Sequence, residues 1–243
     1  SMARYVDKFG GSSVADAERL YAAARKLAAA RREGHEVVGV LSAQAGATDA
    51  LLARAREIDP DCGGRELDAL LATGELCSVS LCAMALQRLG VPAVSLSGWQ
   101  AGLLTDGQHG SSRVLCLTND RIERELQAGN IVLVAGFQGV DEGGDVTTLG
   151  RGGSDTTAVA LAAFLHADRC RIYTDVDGVY DRDPRKYPDA VKFETLTYNK
   201  MLTLARSGAK VLHDRCVELA KQYNVPIEVR SSFRDAPGTL VYG

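Results

Sequence analysis

No stretch of this 243-residue sequence stays apolar for the roughly 20 residues that a membrane-spanning helix needs. The longest apolar runs, such as Val37 to Leu41 and Ile131 to Ala135, are strand-sized. The start lacks the charged and apolar regions of a secretory leader, and Ser1 ahead of Met2 reads as an expression remnant, so a cytoplasmic protein without membrane attachment is expected. The six cysteines, Cys62, Cys77, Cys82, Cys116, Cys170 and Cys216, contain no C-x-x-C pair. That spacing argues against a zinc site and a disulfide framework and for buried reduced thiols. The four histidines, His35, His109, His166 and His213, show no metal spacing and no serine-elbow context, so they read as structural or surface residues. No metal ligands are assigned. There is no G-x-x-x-x-G-K-[ST], and Gly150-Arg151-Gly152 lacks the third glycine of G-x-G-x-x-G, which removes the Walker and Rossmann readings. Nor is there an excess of positive charge. With 28 basic and 31 acidic side chains the net charge is −3, which argues against nucleic acid as a partner, so any anionic ligand must be met locally.

What is present is ordinary for a packed protein: 46% hydrophobic and 24% charged residues, with no low-complexity linker and no solenoid repeat. Val6 to Phe9 reads as a strand running through Gly10 and Gly11 into a helix over Ser13 to Arg32. Strands are predicted again at Glu36 to Ser42, Ala93 to Leu96, Ile131 to Ala135, Arg169 to Thr174 and Ile227 to Arg230. Helices alternate with them near Asp49 to Ile58, Gly64 to Leu89, Asp155 to Leu165 and Tyr198 to Tyr223, the last broken near Gly208. Asp141 to Thr148 reads as a hairpin turn or a mobile lid. The alternation predicts an α/β fold with a mostly parallel sheet covered on both faces, in one domain over residues 1–243.

Four polar, glycine-bearing segments fall where strands hand over to helices, the edge at which open α/β sheets bind ligands. In Lys8-Phe9-Gly10-Gly11-Ser12-Ser13 the glycines allow backbone N–H groups to approach phosphate, though from the pair alone a tight turn with a solvated lysine is the favoured reading. In Thr147 to Thr157, Arg151 between two glycines suits a bidentate carboxylate clamp. There Ser154 is either an N-cap or a substrate ligand, and Asp155 either a dipole partner or a functional carboxylate. Thr174 to Arg185 is a turn or a nucleotide platform using Tyr180 and Arg185. Lys210, in Gly208 to His213, is by default a snorkelling surface residue.

Together these segments resemble the aspartokinase branch of the amino acid kinase family. Lys8 to Asp16 resembles K-F-G-G-[TS]-S-V-A-D, Val134 to Gly139 resembles V-x-G-F-x-G, and Thr148 to Thr156 resembles T-L-G-R-G-G-S-D-T. Thr174 to Pro184 is similar to T-D-V-D-G-V-Y-x-x-D-P, Gly208 to His213 to G-A-K-V-L-H, and Val229 to Phe233 to V-R-S-S-F. The resemblance implies a three-layer αβα sandwich and ATP-dependent phosphorylation of the side-chain carboxylate of L-aspartate, with magnesium accompanying ATP, in a homo-oligomer. It implies that Lys8 binds the transferred phosphoryl group, Lys210 neutralises phosphates and Asp155 orients the lysines. Ser42, Thr48, Glu75, Phe137, Arg151, Gly152 and Ser154 carry over to the aspartate site, with Glu75 on the substrate ammonium and Arg151 on its α-carboxylate. Lys8, Gly10, Gly11, Ser13, Thr174, Asp175, Tyr180, Arg185 and Lys210 carry over to ATP. The turn Ser42-Ala43-Gln44-Ala45-Gly46-Ala47-Thr48-Asp49 departs from the family's S-A-M-G-x-x-T-D, which leaves open a kinase of another amino-acid carboxylate; a non-catalytic nucleotide-binding subunit is the remaining alternative. The resembled family continues into a pair of small ligand-binding regulatory domains; none is expected within residues 1–243, so the chain as given is expected to be insensitive to lysine and threonine.

Overall fold

The computed structural model describes residues 1–209 and 211–243, so Lys210 lies outside the described residues. Alternating side chains on the first strand, β1 (Arg4–Phe9), send Val6 and Lys8 to one face of a sheet and Asp7 and Phe9 to the other. β2 (Glu36–Leu41) and β9 (Arg169–Thr174) flank β1 in parallel, with Lys8 opposite Val40 on one side and Ile172 on the other. The remaining strands of this eight-stranded sheet are β3 (Ala93–Leu96), β6 (Ile131–Ala135), β10 (Thr195–Thr197), β11 (Ile227–Ser231) and β12 (Thr239–Tyr242). The order is β10-β12-β11-β9-β1-β2-β6-β3, and only the β11–β12 pair is antiparallel.

Two helices bury their apolar stripes on the Phe9 face: α1 (Ala17–Arg32), through Leu20, Ala24 and Leu27, and α4 (Thr73–Arg88), through Val79, Cys82 and Leu86. Gly39 of β2 makes room there for two leucines: a Cβ would lie 2.8 Å from a Leu133 methyl and 3.4 Å from Leu27. On the Val6 face sit α5 (Arg121–Gln127), α6 (Gly153–Phe164), α7 (Tyr198–Arg206) and α8 (Asp214–Tyr223). The architecture is thus the three-layer αβα sandwich. α1 is capped by the Asp16 carboxylate, which accepts from Arg19 N–H.

Several expectations are corrected. The helix read over Gly64 to Leu89 is present as α3 (Gly64–Leu71) and α4, which meet at Ala72 in helical backbone geometry, where the Thr73 hydroxyl donates to the Leu70 carbonyl. By length and composition Gly64–Arg88 could cross a membrane, but half of that run is buried inside the molecule, as in a core helix. The predicted break near Gly208 is present: α7 ends at Arg206 and α8 starts at Asp214. α2 (Ala47–Ile58) ends as expected and begins slightly earlier than Asp49. A second, four-stranded sheet was not anticipated. It runs β5-β4-β7-β8, from β4 (Leu103–Thr105), β5 (Val114–Leu117), β7 (Gln138–Val140) and β8 (Val146–Thr148). The segment read as hairpin or lid is the β7–β8 hairpin. All six cysteines are free, but only Cys82, Cys170 and Cys216 are buried; Cys77 is exposed.

Candidate active site

The strand order reverses at β1, whose neighbours lead to opposite halves of the sheet, and a crevice opens there at the carboxyl ends of the strands. A cavity of about 300 Å³ occupies it, lined by Lys8, Ser42, Thr48, Glu75, Phe137, Gly152, Ser154 and Asp155 among the predicted residues. Lys8 is not solvated. Its Nζ lies 2.7 Å from Asp155 Oδ1, and both side chains are 13% exposed. Asp155 stands in the first turn of α6, so the helix dipole and the lysine act on the same carboxylate. Among the described residues its Oδ1 has no hydrogen-bond partner beyond that ion pair.

The turn leading into α6 explains its glycines. Gly150 and Gly152 have φ of 78° and 72°, in the left-handed region. A Cβ at Gly150 would lie 3.0 Å from the Gly110 carbonyl oxygen, and one at Gly152 would lie 2.7 Å from the His213 ring. These glycines are therefore required by backbone geometry rather than by Arg151, whose side chain is exposed and outside the cavity lining. Ser154 is no N-cap: Gly152 holds that position with no side-chain cap, leaving the hydroxyl to the cavity. Phe137 lines the same wall with φ of 74°, its N–H donating to the Thr157 hydroxyl and its ring against Gly153.

Glu75, on the first turn of α4, is 3% exposed. Burial pushes its carboxyl up to about 8, partly offset by the backbone N–H groups of Glu75 and Ala43 and by the Gln138 amide. Oε2 is buried without a hydrogen-bond partner among the described residues. A partnerless buried carboxyl oxygen in a cavity is costly unless a ligand completes it. Gln44, the departure in the β2–α2 turn, does not line the cavity; its amide donates to the Val14 carbonyl at 2.9 Å.

The residues assigned to the nucleotide are arranged more loosely. Gly10 is extended and Gly11 opens a single 3-10 turn, where a Cβ would lie 3.0 Å from the Ala43 carbonyl oxygen. The buried Ser13 hydroxyl is occupied by Ser232, past the end of β11. Thr174 donates to Asp175 at 3.2 Å, and the Tyr180 hydroxyl donates to Asp177 Oδ1 at 2.8 Å. Burial raises the Asp177 carboxyl, but Tyr180, Lys192 and Arg234 outweigh it and the net shift is downward. Arg185 is exposed and, among the described residues, its side chain pairs with Asp183 alone, at 3.3 Å. The predicted Lys210 falls outside the described residues.

Residues 3–231 match the model of the amino acid kinase family. The chain belongs to that family. It is 53% identical over 243 residues to the aspartokinase of Mycolicibacterium smegmatis, covering 100% of this chain and 58% of that protein, so it spans less than two thirds of that relative. The solved aspartate kinase of Synechocystis has a TM-score of 0.87 at 47% identity, covering 98% of this chain and 40% of its own. E. coli aspartokinase III in complex with aspartate and ADP (R-state) has a TM-score of 0.88 at 29% identity, covering 98% of this chain and 64% of its own.

In this amino acid kinase chain, sequence reasoning passed over Ala43, Gly150 and Gly153, which also line the cavity, and Gln138, which reaches Glu75. The motif Val134 to Gly139 contained the signal for Gln138. A fully buried glutamine on a three-residue strand needs partners, and its amide also donates to the Ala72 carbonyl at 2.9 Å.

Proposed function

We propose that this chain is the catalytic part of an aspartate kinase, transferring the γ-phosphoryl group of ATP to the side-chain carboxylate of L-aspartate and giving 4-phospho-L-aspartate and ADP. The observation that carries the reading is the buried Lys8–Asp155 pair in the same cavity as the partnerless Glu75 carboxyl. A lone pair of the acceptor carboxylate forms the new O–P bond, the bond from the γ-phosphorus to the bridging oxygen breaks, and its electrons leave on ADP. An aspartate side chain is ionised far above its reference pKa of about 4, so no general base is needed. The requirement is electrostatic. Lys8 stabilises charge developing on the transferred group, Asp155 holds Lys8 in place, and Lys210 is assigned to the phosphates.

Glu75 receives the substrate ammonium, giving up its proton as the ion pair forms. Arg151 swings onto the α-carboxylate, and the hydroxyls of Ser42, Thr48 and Ser154 complete the acceptor site with Phe137 and Gly152. Gly10, Gly11, Ser13, Thr174, Asp175, Tyr180 and Arg185 face the nucleotide. Magnesium enters with ATP as part of that substrate; among the described residues no group of three or more His, Cys, Asp or Glu is placed to hold a metal. The free cysteines and the use of ATP suit a cytoplasmic setting. An outward apolar stripe on α4, Cys77, Leu81 and Met84, supports a homo-oligomer, which sedimentation tests. The similarity to aspartokinases and to a structure holding aspartate and ADP supports the reading.

The test is ATP-to-ADP turnover with the acyl phosphate trapped by hydroxylamine, run competitively over aspartate, glutamate, N-acetylglutamate and aminoadipate. Aspartate is expected to dominate. Preference for another member would move the acceptor within the same chemistry, and nucleotide binding without turnover would overturn the enzyme reading.

A further inference from the structure

Asp68, on α3, is 2% exposed, lines no part of the cavity and, among the described residues, has no lysine or arginine partner. Its carboxylate instead gathers three segments distant in sequence. Oδ2 accepts from the N–H of Gly110 at 3.2 Å and of Thr148 at 3.0 Å, and lies 2.8 Å from His109 Nδ1. Oδ1 accepts from the Thr148 hydroxyl at 2.7 Å.

Both clamped backbones border the glycine turn. Thr148 ends β8 just ahead of Leu149, whose N–H donates to the Phe137 carbonyl at 2.9 Å. The Thr148 carbonyl accepts from Ser112 N–H at 3.0 Å, fastening the 107–112 loop to the same strand end. The Gly110 carbonyl is the wall against Gly150. A buried carboxylate with saturated acceptor sites therefore fixes the two backbones between which the left-handed turn of Gly150 to Gly153 is held.

We propose that Asp68 is a positioning residue for the acceptor: it prepares the turn that presents Gly152 and Ser154 to the cavity, although it never touches substrate. The proposal rests on the acceptor site assigned above. A turn ordered before binding does not spend binding energy on ordering, so loosening it weakens acceptor binding more than nucleotide binding.

The test compares Asp68→Ala with Asp68→Asn, with Arg65→Ala as control, since Arg65 ties α3 to Asp145 at an exposed site. Asp68→Ala strands two backbone donors and should raise the acceptor KM about tenfold or more with the ATP KM within about twofold. Asp68→Asn should recover most of the loss, because an amide oxygen in the Oδ2 position accepts both N–H groups and the Thr148 hydroxyl can turn to accept from the amide. Unchanged KM values, an equal rise in both, or failure of Asn to recover would overturn the proposal. Should Asp68→Ala not fold, Thr148→Val removes one donor while keeping the side-chain shape, and an acceptor KM equal to the parent's then counts against it. Hydrogen exchange of Gly150 to Asp155 without substrate stands apart from the reaction. Faster exchange in Asp68→Ala or Thr148→Val supports positioning even if the parent phosphorylates no aspartate; unchanged exchange refutes it.

Discussion

On the Glu75 side of the crevice, the side chains are already gathered: Lys8 on Asp155, Phe137 in the left-handed region, Ser154 released from capping, and Glu75 short of one partner. On the Thr174 to Arg185 side, the assigned residues bond within their own loop, Tyr180 to Asp177 and Arg185 to Asp183, and Arg185 is exposed. Under the proposed function, the difference follows from what each half would recognise. A small zwitterion brings few atoms, so its selectivity has to be built in as desolvated, pre-aimed groups. A nucleotide brings a large base, several charges and its own magnesium, so a loop can close on it.

The sharpest way to break this contrast is Lys8→Ala. Loss of one preorganised donor typically costs about 10² to 10³ in rate, and kcat should fall by that much with ATP KM little changed. If ATP KM carried the effect instead, Lys8 would belong to the loose half.

Glu75→Gln comes next, raising the acceptor KM by about 10- to 100-fold, as expected when a hydrogen-bonded charge loses its partner. It also has a pH signature. The Glu75 carboxyl sits at about 8 in the fold against an ordinary 4.5, so between those values the folded chain holds a proton that the unfolded chain has released. Its contribution to stability is fully present below the lower value and is lost as pH rises through the upper one. The difference in unfolding free energy between parent and Glu75→Gln should decline across that window, by at most about 1.4 kcal/mol per pH unit. Urea unfolding over the window measures it; a flat difference means that Glu75 is already ionised in the empty cavity.

Arg151→Lys should raise the acceptor KM by about tenfold, because an ammonium cannot make two parallel bonds to a carboxylate. A KM equal to the parent's would leave Arg151 as the solvent-exposed side chain it is without ligand. The smallest effect is expected from Arg185→Ala, a rise in ATP KM of about threefold, the scale of an exposed pair. A rise comparable to that of Glu75→Gln would mean that the nucleotide loop is as exacting as the acceptor cavity.

The main sheet was legible because its strands announce themselves. Ile131 to Ala135 is apolar throughout and buried throughout, as a central parallel strand must be. The four-stranded sheet was not, since β4, β7 and β8 have three residues each and β4 meets β7 through a single residue pair. Eight cavity residues were readable through motif resemblance, whereas Arg151 stands outside the lining and the glycines beside it answer to backbone geometry. From sequence alone, a glycine needed for φ near 75° looks the same as one needed for a ligand. Asp68 left no trace, because its partners lie far along the chain and only the fold brings them together.

The place of β1 in the middle of the sheet also sets an order of assembly. It precedes the other strands of the sheet, but one of its flanking strands, β9, and the helix carrying Asp155 lie far along the chain. Until they emerge, Lys8 is a cation at the open end of an unpaired strand edge, a contact of high sequence separation still to be made. On the ribosome the Lys8–Asp155 pair thus closes only after α6 has emerged, and a chain halted before α6 would expose its central strand to passing hydrophobic segments.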